Sequence, residues 1–202
     1  MLAITPEARL TMGERPLDAV NTNPCNELPP RPSLRPALGS GPESDCANSV
    51  PGVHDFDFIA GVFKVHNRRL LRRGVGCDEW EEFPGVNRGQ LHLGSVVNTD
   101  EIEFPGKGWS GMTLRCFDVE KRRWAIYWIN SRSGRLFPPV HGHFVGPRGE
   151  FFGTDDDDGR PVQVRFVWTR IDSTHARWEL AFSYNQGTDW ETNWIMQFTR
   201  DG

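Results

Sequence analysis

From Asp55 to Arg200 the chain is a succession of short alternating segments, each ended by a tight turn, and no stretch of helical period interrupts them. The segments fall at 62–72, 78–83, 90–98, 110–117, 123–130, 140–145, 150–154, 162–170, 175–184 and 190–200. Between them lie Gly74-Val75-Gly76, Pro84-Gly85, Pro105-Gly106-Lys107-Gly108, Ser131 to Gly134, Gly146 to Gly149, the acidic tip Asp155 to Gly159 and Asn185-Gln186-Gly187. Connections this short join antiparallel neighbours, because a parallel crossover needs a dozen residues or more. The expected fold is all-β: an antiparallel up-and-down β-barrel of about ten strands, closed because closure removes both sheet edges. About eight strands already leave room for one small ligand, so a larger barrel predicts an internal pocket.

The aromatic residues fit that expectation. Eight Trp and thirteen Phe fall almost wholly between residues 56 and 198, where they fill a core or line a cavity. Residues 1–51 read differently. Pro29-Pro30, Pro32, Pro36 and the cluster Gly39 to Pro42 destroy any period of 2 or 3.6. Too little apolar surface remains to offset the entropy of ordering, so this segment is expected to be an irregular arm, flexible or draped over the barrel of residues 52–202, with at most a short helix at 5–10. A net charge of -4 provides no basic stripe for nucleic acid or for an anionic membrane. No apolar run is long enough to span a bilayer, and Glu7, Arg9, Glu14, Arg15 and Asp18 occupy the region where a signal peptide needs an apolar core. The expected location is cytoplasmic, and the four scattered cysteines, Cys25, Cys46, Cys77 and Cys116, read as reduced thiols.

Alternation sorts each strand into two faces but does not say which is inward. In the first strand Phe63, Val65, Asn67, Arg69 and Leu71 oppose Val62, Lys64, His66, Arg68 and Leu70. In the last, Thr192, Trp194, Met196 and Phe198 oppose Glu191, Asn193, Ile195 and Gln197. Solvated polar faces are one reading. The other places Arg69, Arg115, Arg165, Glu179 and Asn193 in a common lumen, where groups so costly to bury would mark a site for a polar ligand. His141-Gly142-His143 puts two imidazoles on one face of a strand, a pattern suited to proton transfer, or to a metal if His66, His92 or a carboxylate completes the set. Neither a metal site nor a cofactor is expected, since no recognised ligand spacing, phosphate loop or dinucleotide fingerprint is present. Asp55 and Asp57 are expected to cap the turn that follows them or to pair with the Arg68 to Arg73 cluster.

Gly61-Val62-Phe63 at the start of the first strand, preceded by a short turn, and Arg200 late in the last strand resemble the calycin superfamily, which includes lipocalins and nitrobindin-like barrels. Lipocalins write the first motif Gly-x-Trp, and the basic residue packs across the aromatic. The series Phe56-Asp57-Phe58, Val65 to Leu70, Thr113-Leu114-Arg115, Val164 to Trp168 and Trp190 to Trp194 is similar to a group of uncharacterised bacterial lipocalin-like proteins, over about 150 residues. The resemblance implies a barrel that hosts carriers, haem proteins, and cyclases or isomerases alike.

The expected function is binding of a small apolar or aromatic molecule with a polar end, held by Asn67, Arg69, Arg115, Trp128, His141, Glu179 and Asn193. A cofactor-independent isomerase or cyclase of small-molecule (secondary) metabolism would use the same pocket, with His143, Arg165 and Tyr127 moving a proton or polarising a carbonyl. The alternatives are a non-catalytic carrier and a haem-binding, nitrobindin-like protein with a histidine as axial ligand. A homodimer is compatible with the sequence.

Overall fold

The computed structural model describes residues 50–202. The expected proline-rich arm lies outside the described residues except for its last two. Ten strands follow one another in the order of the chain: β1 Gly61–Leu70, β2 Trp80–His92, β3 Val97–Phe104, β4 Trp109–Asp118, β5 Arg123–Asn130, β6 Val140–Val145, β7 Arg148–Asp157, β8 Arg160–Arg170, β9 His175–Ser183 and β10 Glu191–Arg200. Every pairing is antiparallel, each strand pairs with its sequence neighbours, and β1 pairs with β10 to close the barrel. Among the described residues no helix is long and apolar enough to cross a membrane.

One boundary differs from the expectation. Pro84-Gly85 does not end the second strand; β2 runs through it to His92, and the turn comes at residues 93–96, where Leu93, Gly94 and Ser95 all have positive φ. β2 pairs with β3 only from Val86 onward, so Pro84 sits in an edge-like stretch where proline is tolerated. The correction shifts β3 to Val97–Phe104 and brings Asn87 and Asp100 into strand positions.

The register is set at the β1–β10 seam. Phe63 faces inward opposite Arg200, whose guanidinium lies 4.6 Å from the Phe63 ring centroid. The same guanidinium donates to the carbonyls of Ala60 at 2.7 Å and Phe58 at 2.9 Å. It thereby fastens the 3₁₀ turn Asp57–Ile59 across one end of the barrel. Gly89 is needed for this closure, because a Cβ there would lie 2.0 Å from the Ile59 carbonyl oxygen. Phe56 is the plug. Its side chain is fully buried, and it meets Trp124 and Phe144 edge-on at 5.0 Å each. The two acids beside it do not cap the turn. The N-cap is Phe56 with no side-chain hydrogen bond, Asp57 accepts from His54 at 2.8 Å, and the arginines of the 68–73 cluster pair elsewhere, Arg68 with Glu82 and Arg73 with Asp157.

With Phe63 inward, Val65, Asn67 and Arg69 follow it inward, while Lys64, His66 and Arg68 face out. The same alternation runs round the barrel, aromatic and aliphatic side chains mostly in and charges mostly out, with Arg69, Asp100 and Arg115 the inward exceptions on β1, β3 and β4. The shortest ladder is β5–β6, from Trp124 opposite Gly142 to Ile126 opposite Val140. Beyond it β5 bonds to the connecting segment instead: the Phe137 N–H donates to the Trp128 carbonyl at 2.9 Å. Residues 131–139 thereby fold over the open end.

Candidate functional site

Between the Phe56 plug and the open end lies a cavity of about 300 Å³. Its two sides differ in chemistry because the inward rows differ in sequence. β8, β9 and β10 contribute Val164, Phe166, Trp168, Trp178, Leu180, Trp194, Met196 and Phe198, an apolar wall. β2, β3 and β4 contribute Asn87, Asp100, Ile102, Thr113 and Arg115, a largely polar one. Trp128 of β5 completes the lining and lies across Gly111; a Cβ on that residue would fall 1.9 Å from the indole, so glycine is what lets the ring lie flat against β4.

The polar wall is built round a buried ion pair. Arg115, only 2% exposed, pairs with Asp100 and donates to the Asn98 amide oxygen at 3.1 Å, while the Thr113 hydroxyl donates to the second Asp100 oxygen at 3.4 Å. The guanidinium also lies 4.9 Å from the Phe56 ring and 5.4 Å from that of Trp168, which spans the floor. Around this pair several buried polar atoms make no hydrogen bond among the described residues: both amide atoms of Asn87, Nδ2 of Asn193, Nε1 of Trp168 and Nε of Arg115.

The mouth carries three arginines, Arg69, Arg73 and Arg132, three aspartates, Asp155 to Asp157, and aromatic rings. Arg69 lines it with its guanidinium 4.9 Å over the Trp194 ring, and it makes no ion pair or hydrogen bond among the described residues. Burial, and then the neighbouring Arg73 charge, hold its pKa below the ordinary arginine value. Arg73 is paired with Asp157, which also accepts the Tyr184 hydroxyl at 2.8 Å. Burial works to raise the Asp157 pKa, but the bonds from Arg73 and Tyr184 outweigh it and the carboxyl stays below its usual range. The backbone N–H of Gly74 donates to Glu191 at 2.9 Å, so the β1–β2 connection is tied to the rim at two points. Asp155 also faces the mouth and accepts the Asp156 N–H at 2.8 Å.

Of the residues singled out from sequence, Arg69, Arg115, Trp128 and Asn193 meet in the cavity. Asn193 arrives by a route alternation does not foresee. The β9–β10 register shifts between Thr192 and Trp194, and this bulge turns Asn193 to the same side as Trp194. Asn67 is inward and buried but serves the scaffold, donating to the Phe83 carbonyl at 3.2 Å and accepting the Trp194 indole N–H at 3.1 Å. The common lumen expected for Arg165 and Glu179 does not form. Arg165 stacks at 4.7 Å on Trp190 and Glu179 accepts from Arg177 at 2.9 Å, both on the strand faces opposite the cavity-lining Phe166 and Leu180. Tyr127 likewise lies on the face opposite Trp128. His141 and His143 lie in a separate depression of about 550 Å³ with Arg123, Arg148, Glu150 and Phe152. Burial, with Arg123 and Lys121 nearby, holds the His141 pKa below the ordinary imidazole value. Among the described residues no three His, Cys, Asp or Glu side chains are placed to hold a metal ion. Burial pushes the Cys116 thiol upward in pKa, which suppresses its thiolate.

The residues sequence reasoning missed are Asn87, Asn98, Asp100 and Thr113. The first three sit in β2 and β3, whose boundaries Pro84-Gly85 had obscured. Read through that dipeptide, Gly85, Asn87, Gly89 and then Asn98, Asp100, Ile102, Phe104 form two inward rows of period 2.

No family model matches the chain, and no curated protein matches it. Among solved structures it is similar to a redesigned β-barrel at 8% identity and a TM-score of 0.41, with 72% of this chain and 94% of that one covered.

Proposed function

We propose that the barrel binds a small, largely aromatic or apolar molecule end-on, with an oxyanion such as a carboxylate at Arg69 and the rest of the molecule against the apolar wall. The observation that carries this reading is a half-buried guanidinium with no carboxylate of its own at the mouth of an aromatic cavity. An arginine with no bonded carboxylate in that position gains from a bidentate anion, and Trp194 holds the fork in place for it. The calycin assignment is part of the same proposal and is supported by the packing of Arg200 on Phe63.

The carrier version needs only this chamber. The isomerase or cyclase version, as assigned to His143, Arg165 and Tyr127, finds no support in the geometry, since all three lie away from the cavity. In a catalytic version Arg115 would be the group to polarise a carbonyl, because it alone among the cavity arginines reaches the floor, over Phe56 and Trp168. The haem version lacks the histidine ligand it calls for, since none of the six histidines lines the cavity.

Native mass spectrometry of the protein purified from its own host tests the proposal. The expected result is a co-purifying small acid, lost from Arg69→Met. That substitution is expected to weaken binding roughly ten- to hundred-fold, the size of a charge-assisted hydrogen bond. Retention of the same molecule by Arg69→Met would overturn the assignment of the anion to Arg69.

A further inference from the structure

Asn67 and Asn87 are inward asparagines on adjacent strands, and they are not equivalent. Asn67 uses both ends of its amide within the fold, one on the Phe83 carbonyl and one on the Trp194 indole. Asn87 is equally buried, at 0% exposed, yet neither its Nδ2 nor its Oδ1 has a partner among the described residues, and it lines the cavity where Asn67 does not. Valine or leucine would fit a strand position facing a hydrophobic core without leaving a buried donor and acceptor unpaired. An unpaired amide in such a place lowers stability, and native proteins keep such groups where a bound molecule completes them.

Asn87 is not alone. Nε1 of Trp168, Nε of Arg115 and Nδ2 of Asn193, all buried and on cavity-lining residues, are also without partners among the described residues. With the Asn87 amide this gives four donors and one acceptor. The set suits an oxygen that accepts more than it donates.

We infer that the inner part of the cavity is a second polar subsite, centred on Asn87, which takes a hydroxyl or carbonyl oxygen, so that the ligand is an aromatic acid oxygenated at the end remote from its carboxylate. This rests on the proposed function, which supplies the outer anchor. The two anchors lie at different depths: Arg69 is opposite Glu81 in the β1–β2 register and Asn87 opposite Phe63. The strand between them spans roughly 20 Å at ~3.3 Å per residue. Strand tilt and the reach of the two side chains shorten that span, so the ligand class is an elongated aromatic acid lying along the apolar wall, with a phenylpropanoid acid as the probe. Both polar ends are then engaged while Trp178, Leu180 and Trp194 pack on the ring.

Isothermal titration calorimetry with cinnamate, 4-hydroxycinnamate and 4-methylcinnamate tests this, because hydroxyl and methyl are close in size and differ in hydrogen bonding. The wild type is expected to bind the hydroxyl compound at least ten-fold more tightly than the methyl compound, and Asn87→Leu to abolish or reverse that preference while still binding all three. Equal affinity for the two in the wild type, or an unchanged preference in Asn87→Leu, overturns the inner subsite and leaves the outer anchor standing. If none of the three acids binds the wild type, the proposed function fails and the subsite with it. A second readout needs no ligand: the melting temperature of Asn87→Leu is expected to equal or exceed that of the wild type. A fall of several degrees shows Asn87 to be a structural group and overturns the proposal.

Discussion

The two walls of the cavity are made by the same device, a strand with every second residue turned inward, yet they serve opposite ends. On β8 to β10 the inward row is continuous with the core: Trp168 packs on Phe198 at 5.1 Å and Trp178 on Trp194 at 5.8 Å, so each side chain that lines the cavity also supports the barrel. On β2 to β4 the inward rows interleave core residues such as Ile102 and Phe104 with Asn87, Asn98, Asp100, Thr113 and Arg115, and they carry most of the unpaired buried atoms around the cavity, Asn193 Nδ2 and Trp168 Nε1 lying on the other wall. A barrel built for stability alone would line both walls alike. Under the proposed function, the polar wall is where the fold gives up stability for recognition.

Substitutions can break or sharpen this contrast. The largest effect is expected from Arg115→Met, which strands Asp100 as a buried charge and is predicted to cost about 3–5 kcal/mol in urea unfolding. A loss below about 1 kcal/mol would mean the pair is not desolvated. On the opposite wall Met196→Ala is predicted to cost about 3 kcal/mol by deleting buried apolar volume. Because that wall is predicted to recognise by shape, the same change should weaken binding of aromatic acids without altering their ranking.

At the rim, Asp157→Asn removes the acceptor of Arg73 and Tyr184 and is predicted to cost about 1.5–2 kcal/mol at neutral pH. The pH dependence follows from the sign of the Asp157 shift. Its carboxyl is depressed below 3.8 in the fold, so its contribution is complete above that pH and is lost as the pH falls through the lower, folded value. Asp157→Asn should therefore shrink the stability difference from wild type as acid is added, measurable by denaturation at a series of pH values. The smallest effect belongs outside. Arg165→Ala deletes an outward cation–π contact with Trp190 and is predicted to cost about 0.5–1 kcal/mol and to leave binding unchanged.

Much of this was legible in the sequence. The turn-punctuated alternation yields ten antiparallel strands, and the Gly61-Val62-Phe63 motif gives the inward register that carries Arg69 to the mouth. What alternation alone could not decide was where one strand becomes two. Pro84-Gly85 has the composition of a turn, and only the late start of the β2–β3 ladder makes it a strand interior. With that boundary went Asn87 and Asp100, half of the polar wall. Asn193 and Arg165 show the other limit. Both are polar residues next to large apolar ones, and a one-residue bulge, invisible to period counting, sends the first inward while the second stays out.

The claim on which the account depends is that recognition happens inside the barrel, at Arg69, and not on the outer face where Arg165 and the histidine pair lie. Tryptophan fluorescence titration with 4-hydroxycinnamate measures it directly, since Trp194 lies under Arg69 and Trp128, Trp168 and Trp178 line the same space. The predicted result is saturable quenching in the wild type and in Arg165→Ala at the same midpoint, with the midpoint for Arg69→Met moved upward at least ten-fold. Equal midpoints for wild type and Arg69→Met, with Arg165→Ala weakened, would place the site on the outside and contradict the account.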